Sequence, residues 1–227
     1  MYFSRLVLNP QRRQAKRFMA DARAMHAAVE AAFPPGLGSQ EVRNLWRLDR
    51  VEHEVVLYVV SQHHPDLRHI QEQAGWESAP ADSTDYGRFL GSIQRGQRYS
   101  FRLAANPVKR QFVAGGRGRV LPHVTEEQQI NWLMTRAETW GFAVCPVQAA
   151  GGMAQGVVDQ RPDVRVVYRQ DGHFRKIDDG ATRIVTQRQV AFMGTLEVVD
   201  AGKLRESLTR GMGRGKAYGL GLMTLAR

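Results

Sequence analysis

LAANP at residues 103–107 echoes LVLNP at 6–10, and the echo divides the chain into two similar halves. Each segment closes an apolar run in Asn-Pro. Each is followed by basic residues, Arg12 and Arg13 in the first case, Lys109 and Arg110 in the second. Working outward from the first copy, YFSRLVL (2–8) reads as a strand. A helix follows within 11–33, starting either after Pro10 or at a cap on Asp21. VRNLWRL (42–48) and EVVLYVVS (54–61) read as strands, and the charged link 49–53 suits a hairpin. Residues 65–74 suit a short helix, and 75–96 a short strand and a linker. The second copy restarts the order. Thr125 with Gln128 three residues later opens a helix over 125–140, with Ile130, Leu133, Met134 and Ala137 facing inward. Strands follow at about 142–148, 164–170 and 184–199, then a short helix at 201–209 and a last strand at 217–225. Both halves read as strand, helix, strand, strand, helix, strand. That order predicts an α+β protein of two tandem ferredoxin-like βαββαβ domains, residues 1–94 and 95–227.

Composition narrows the partner. The chain has 227 residues, is 43% hydrophobic and carries a formal charge of +10. The apolar content supports a core, and the charge predicts a polyanionic partner. The N-terminal MYFSRLVLNPQRR lacks the long apolar core of a signal peptide, and no apolar run approaches a membrane span. The single cysteine, Cys145 in FAVCPV, reads as a small buried hydrophobe rather than a disulfide partner. A cytoplasmic, nucleic-acid-binding protein is expected. No cofactor and no metal is predicted: His-Glu-x-x-His, Cys-His clusters and Gly-x-Ser-x-Gly are all missing, and His63 and His64 are too close in sequence to face one ion.

The densest signal for chemistry is GMGRGKAYGLGLM at 211–223. Gly211, Gly213, Gly215, Gly219 and Gly221 allow a tight loop that presents backbone N–H groups, with Arg214 and Lys216 between them. It is not a nucleotide-binding P-loop. Only three residues separate Gly211 from Gly215, Ala217 follows Lys216, and the loop leads toward a strand. KRQFVAGGRGR (109–119) adds Lys109, Arg110, Arg117 and Arg119. RPDVRVVYRQDGHFRK (161–176) reads as a hairpin turning at Asp171-Gly172 and carrying Arg161, Arg165, Arg169, Arg175 and Lys176. Such a cationic ribbon suits the backbone of structured RNA. Arg102 and Arg210 complete the candidate RNA-binding cations.

His26 stands apart from the other histidines, which fall in polar or turn-like contexts. Phe18, Ala22, Met25, Val29 and Phe33 form an apolar stripe at helical spacing, and His26 falls at its edge. Arg23 and Glu30 flank it on the polar side. RNA cleavage needs no metal, because the 2′-hydroxyl is a nucleophile already placed beside its phosphate. The protein must supply proton transfer, for which imidazole is suited, and positive charge for the phosphorane.

With these residues in place, the chain resembles the CasE family of CRISPR-associated endoribonucleases from type I-E Cascade. The matching segments are LVLNP (6–10), His26 in AMHAAV, LWRL (45–48), YSFRLAANPVKR (99–110), INWL (130–133), FMGTLEVVD (192–200) and RGMGRGKAYGLGLMTLA (210–226). The resemblance implies tandem ferredoxin-like domains. It also implies metal-independent cleavage of CRISPR precursor RNA at the base of each repeat hairpin, leaving a 2′,3′-cyclic phosphate. The product crRNA would be retained within Cascade beside its other subunits, with no membrane partner. His26 matches the family's catalytic histidine, and 211–221 its Gly-rich loop. The family often has tyrosine three residues before that histidine, where this chain has Arg23. Arg23 is therefore expected to stabilise the phosphorane while His26 transfers the proton, with Glu30 orienting His26 or pairing with Arg23. That departure also keeps open a noncatalytic RNA-hairpin-binding module of the same fold. An acylphosphatase-like enzyme is a third reading, though a small substrate does not call for the long basic segment.

Overall fold

Alternation in the first strand, β1 (Tyr2–Leu8), buries Ser4, Leu6 and Leu8 along one side. The structure, a computed structural model, describes residues 1–34, 43–51, 54–112, 118–147, 161–178 and 181–227, with backbone alone at Val51 and over 173–178 and 181–186. Both expected helix starts after β1 are used. α1 (Arg13–Ala20) ends at Asp21, whose backbone is extended. The Asp21 carboxylate then accepts from the amides of Arg23 (2.9 Å) and Ala24 (3.3 Å) and opens α2 (Ala22–Glu30). β2 (Leu45–Val51), β3 (Glu54–Ser61), α3 (Arg68–Ala74) and β4 (Asp82–Asp85) follow. The strands form an antiparallel sheet in the order β2-β3-β1-β4, the ferredoxin-like arrangement.

α4 (Tyr86–Ser92) leads into the second unit. It comprises β5 (Arg98–Ala105), a β6–β7 hairpin (Val108–Gln111, Arg119–Pro122), α5 (Glu126–Ala137), β8 (Phe142–Val144), β9 (Val164–Asp178), β10 (Ala181–Val198), α6 (Ala201–Arg210) and β11 (Met223–Ala226). Its sheet order, β11-β5-β10-β8, repeats the first, with β9 added beside β10. The fold is thus two ferredoxin-like sheets in tandem. Leu6, Leu8, Phe18, Met25, Val29 and Trp46 fill one core. Phe101, Leu103, Trp132, Phe192 and Leu204 fill the other, which also takes in Leu45 and Val60 from the first sheet. Cys145 is buried, as expected. Among the described residues no helix is long and apolar enough to cross a membrane.

Several sequence expectations yield to tertiary structure. Asp171 and Gly172 do not turn the hairpin: they lie inside β9, opposite Arg188 and Gln187. The Asp171 carboxylate is gripped by the Arg188 guanidinium at 2.6 and 2.7 Å, a cross-strand pair that favours extension. A second Asp-Gly dipeptide, at 179–180, stands between the strand ends Asp178 and Ala181 but lies outside the described residues. The buried face of α5 is Gln129, Trp132, Leu133 and Ala137, and Met134 is 37% exposed. Gln129 turns inward because its amide donates to the carbonyls of His123 (2.9 Å) and Val124 (3.3 Å). The last strand is shorter than expected. A 3₁₀ turn at Lys216–Tyr218 precedes it, and the strand covers only Met223–Ala226.

Candidate active site and nucleic-acid interface

α2 buries Met25 and Val29, which leaves His26 at the margin of its inward face with its side chain 35% exposed. Its Nδ1 lies 3.9 Å from Oε1 of Glu30, one turn further on. That nitrogen is buried and makes no hydrogen bond. That leaves Nε2 as the candidate atom for proton transfer. Glu30 is also held near the Asn44 amide, at 3.4 and 3.5 Å. Arg23, one turn before His26, is exposed on the same helix.

The Gly-rich loop reaches this helix from the far end of the chain. α6 stops at Gly211, and the 3₁₀ turn Lys216–Tyr218 packs against α2. Glycine is required where the loop presses on β2. At Gly211 (φ +77°) a Cβ would stand 2.7 Å from a Leu45 methyl, and at Gly219 (φ +77°) 2.6 Å from the Trp46 ring. The aliphatic stem of Lys216 passes over Gly211, within 3.2 Å of where its Cβ would be. Burial first, then the charges of Arg43 and Arg210, push the Lys216 ammonium below its ordinary pKa. Among the described residues no carboxylate pairs with it. A phosphate bound here would relieve that repulsion.

One ion network fixes the two sheets against each other. Arg47 on β2 is 1% exposed. Its guanidinium donates to both oxygens of Asp49, at 2.8 and 2.7 Å. It also reaches across the seam to the carbonyls of Arg102 (2.8 Å) and Leu222 (2.9 Å) and to the Thr224 hydroxyl (2.8 Å). Arg102 completes the cluster, with Nε 3.2 Å from Asp49. Beside this clasp an inter-sheet cavity of about 400 Å³ opens, lined in part by Phe18, Trp46, Tyr168 and Tyr218.

The candidate cations separate into distinct places. Lys109, Arg110 and Arg214 converge on a smaller pocket of about 200 Å³ at the base of the β6–β7 hairpin. Arg210 and Lys216 lie with Arg43 where the loop meets β2. Arg119, Arg161, Arg165 and Arg169 are exposed on or beside the two hairpins, and Arg169 pairs with Glu126 at 3.2 Å. Arg102 is turned into the seam by Asp49 rather than outward. Arg117 lies outside the described residues, as do the side chains of Arg175 and Lys176. Sequence reasoning missed Arg47, Asp49, Trp46 and Arg136. The only available signal was a pair of opposite charges two residues apart in an apolar strand, which places both on one face.

Comparisons with known proteins bear on the family and the fold. The family described as CRISPR associated protein matches residues 1–227. The CRISPR-associated endoribonuclease Cse3 of Thermus thermophilus is 34% identical over 229 residues, covering all of both chains. A structure of CRISPR endoribonuclease Cse3 bound to a 19-nucleotide RNA superposes with a TM-score of 0.80 at 31% identity, again over all of both chains. A Thermus thermophilus Cse3 structure with an RNA representing a pre-cleavage complex gives 0.75 at 30% identity, over 100% of this chain and 98% of that one. By fold, sequence and full-length correspondence, this chain belongs to the CRISPR-associated protein family.

Proposed function

We propose that this protein is the endoribonuclease that cuts CRISPR precursor RNA at the base of each repeat hairpin and then stays on the crRNA as a Cascade subunit in the cytoplasm. The observation that carries this reading is the packing of the Gly-rich loop's 3₁₀ turn against α2, the helix that bears His26. Full-length likeness to an endoribonuclease solved with RNA supports it. The first unit, 1–94, supplies His26 and Arg23. The second, 95–227, supplies the loop and most of the cationic surface.

The 2′-oxygen attacks the adjacent phosphorus, the P–O5′ bond breaks, and a 2′,3′-cyclic phosphate and a 5′-hydroxyl result. His26 exchanges the proton through Nε2, with Glu30 beside its buried Nδ1. Arg23 and the loop's cations and N–H groups balance charge on the phosphorane. A guanidinium offers positive charge and a fork of N–H donors and has no acceptor, so Arg23 is assigned to charge and His26 to the proton.

The test is incubation with the host's repeat RNA in EDTA, beside the same RNA carrying one 2′-deoxy nucleotide at the scissile position. Cleavage of the first only is expected, and His26→Ala should stop cutting while hairpin binding stays within a few-fold. Tight binding with no cleavage of either RNA would instead assign the noncatalytic hairpin-binding role.

A further inference from the structure

The small pocket at the base of the β6–β7 hairpin is lined by Asn106, Trp132 and Arg136, which the cleavage chemistry leaves unused. One wall is Trp132, only 4% exposed and stacked on Phe192 at 6.3 Å between ring centroids. The Arg136 guanidinium lies over that indole, 4.8 Å from its centroid. It donates to the Trp132 carbonyl at 3.0 Å, and no carboxylate among the described residues pairs with it. Burial lowers its pKa, so its charge lacks compensation here. Asn106 adds a buried Oδ1 that makes no hydrogen bond. Lys109, Arg110 and Arg214 supply the rim, and among the described residues no acidic one lines the pocket.

These features select one kind of ligand. A planar guanidinium backed by an indole is a stacking platform for a nucleobase. An unpartnered amide oxygen accepts an N–H from the base edge. A rim of cations without carboxylates favours the phosphates on either side of that base. A cavity of about 200 Å³ suits one base and not a base pair. We propose that this pocket binds a single unpaired nucleotide of the RNA, its base stacked on Arg136 and hydrogen-bonded to Asn106.

The pocket borders Gly213 and Arg214. Lys216 begins the turn that packs against α2 only two residues further on, no more than about 8 Å of chain. The bound nucleotide therefore lies within a few nucleotides of the scissile phosphate and fixes the register of the cut. This rests on the RNA-cleaving role proposed above.

An abasic scan tests it. Each unpaired nucleotide flanking or capping the host's repeat hairpin is replaced singly by an abasic site, and binding and cleavage are measured at fixed salt. One position should weaken binding by roughly 5- to 100-fold. Asn106→Ala and Arg136→Met should each cause a similar loss on intact RNA and become indifferent to that one abasic site, while responding normally to the others. If every abasic RNA binds within twofold of the parent and is cut at the same place, the pocket proposal is wrong and the nuclease reading stands. If the intact repeat RNA is neither bound nor cut, the nuclease reading itself fails. The scan on the unaltered protein decides the matter even if a variant does not fold.

Discussion

Replacing Arg47 by Met tests the seam most directly. The substitution keeps an unbranched stem of similar length and removes five donors from a site that is 1% exposed. Asp49, with its side chain 8% exposed, would keep, among the described residues, only the Arg102 Nε contact at 3.2 Å. The carbonyls of Arg102 and Leu222 and the Thr224 hydroxyl would each lose a partner. Breaking a buried pair from one side costs about 3–5 kcal/mol, because the remaining charge is stranded. For a chain of this size that corresponds to a melting temperature lower by roughly 10 °C. The double variant Arg47→Met/Asp49→Leu removes the stranded charge as well and should recover part of the loss, the carbonyls and the Thr224 hydroxyl staying without Arg47. Urea unfolding at pH 7 measures both, and single-turnover cleavage should slow in Arg47→Met, since Leu45 and Trp46 on the same strand brace the Gly-rich loop. A single-variant loss under about 1 kcal/mol, or a double variant no better than the single, would refute the assignment of Arg47 as the inter-sheet clasp.

Other outcomes follow from the same geometry. Arg23→Ala should slow single-turnover cleavage by at least tenfold while hairpin affinity falls much less; equal losses in both would reject a role in charge stabilisation. Gly219→Ala forces a Cβ at φ +77° to within 2.6 Å of the Trp46 ring, which should cost about 2 kcal/mol or more in urea unfolding and reduce cleavage with it. Lys216 gives a pH signature. Its folded pKa is pushed below the ordinary 10.5, so the unfolded chain binds the proton more tightly, and stability should rise with pH between that lowered value and 10.5. Urea midpoints across that window should lose this rise in Lys216→Met; an unchanged slope would show that the ammonium is not constrained as described.

Local and repeating features were legible in the sequence. The Asn-Pro echo and the periodicities located most elements and the ferredoxin-like order, because a strand or amphipathic helix declares its own buried face. The capping box at Thr125 and Gln128 is a purely local arrangement, and it stands as expected. His26 was legible as an edge position for the same reason, since one turn of helix fixes its angle to Met25 and Val29. What local pattern could not decide was rank among competing partners. Two Asp-Gly dipeptides offered a turn, and a cross-strand arginine at 188 held the first one straight. Gln129 faced inward where the carbonyls of His123 and Val124, in the turn entering α5, accept its amide, a fold-back that helical periodicity does not report.

The sequence by itself therefore determined the class of fold, the cationic character and the residue types fit for metal-free RNA cleavage. Tertiary structure alone decided which of them meet: it packed the turn at 216–218 against the helix of His26, drew Arg102 away from the surface to Asp49, and gathered Asn106, Arg136 and Arg214 around one small pocket. The physical reason is separation along the chain. Periodicity reports the angle of a side chain about its own element, while contacts between residues nearly two hundred positions apart are set by how two cores pack across a shared seam.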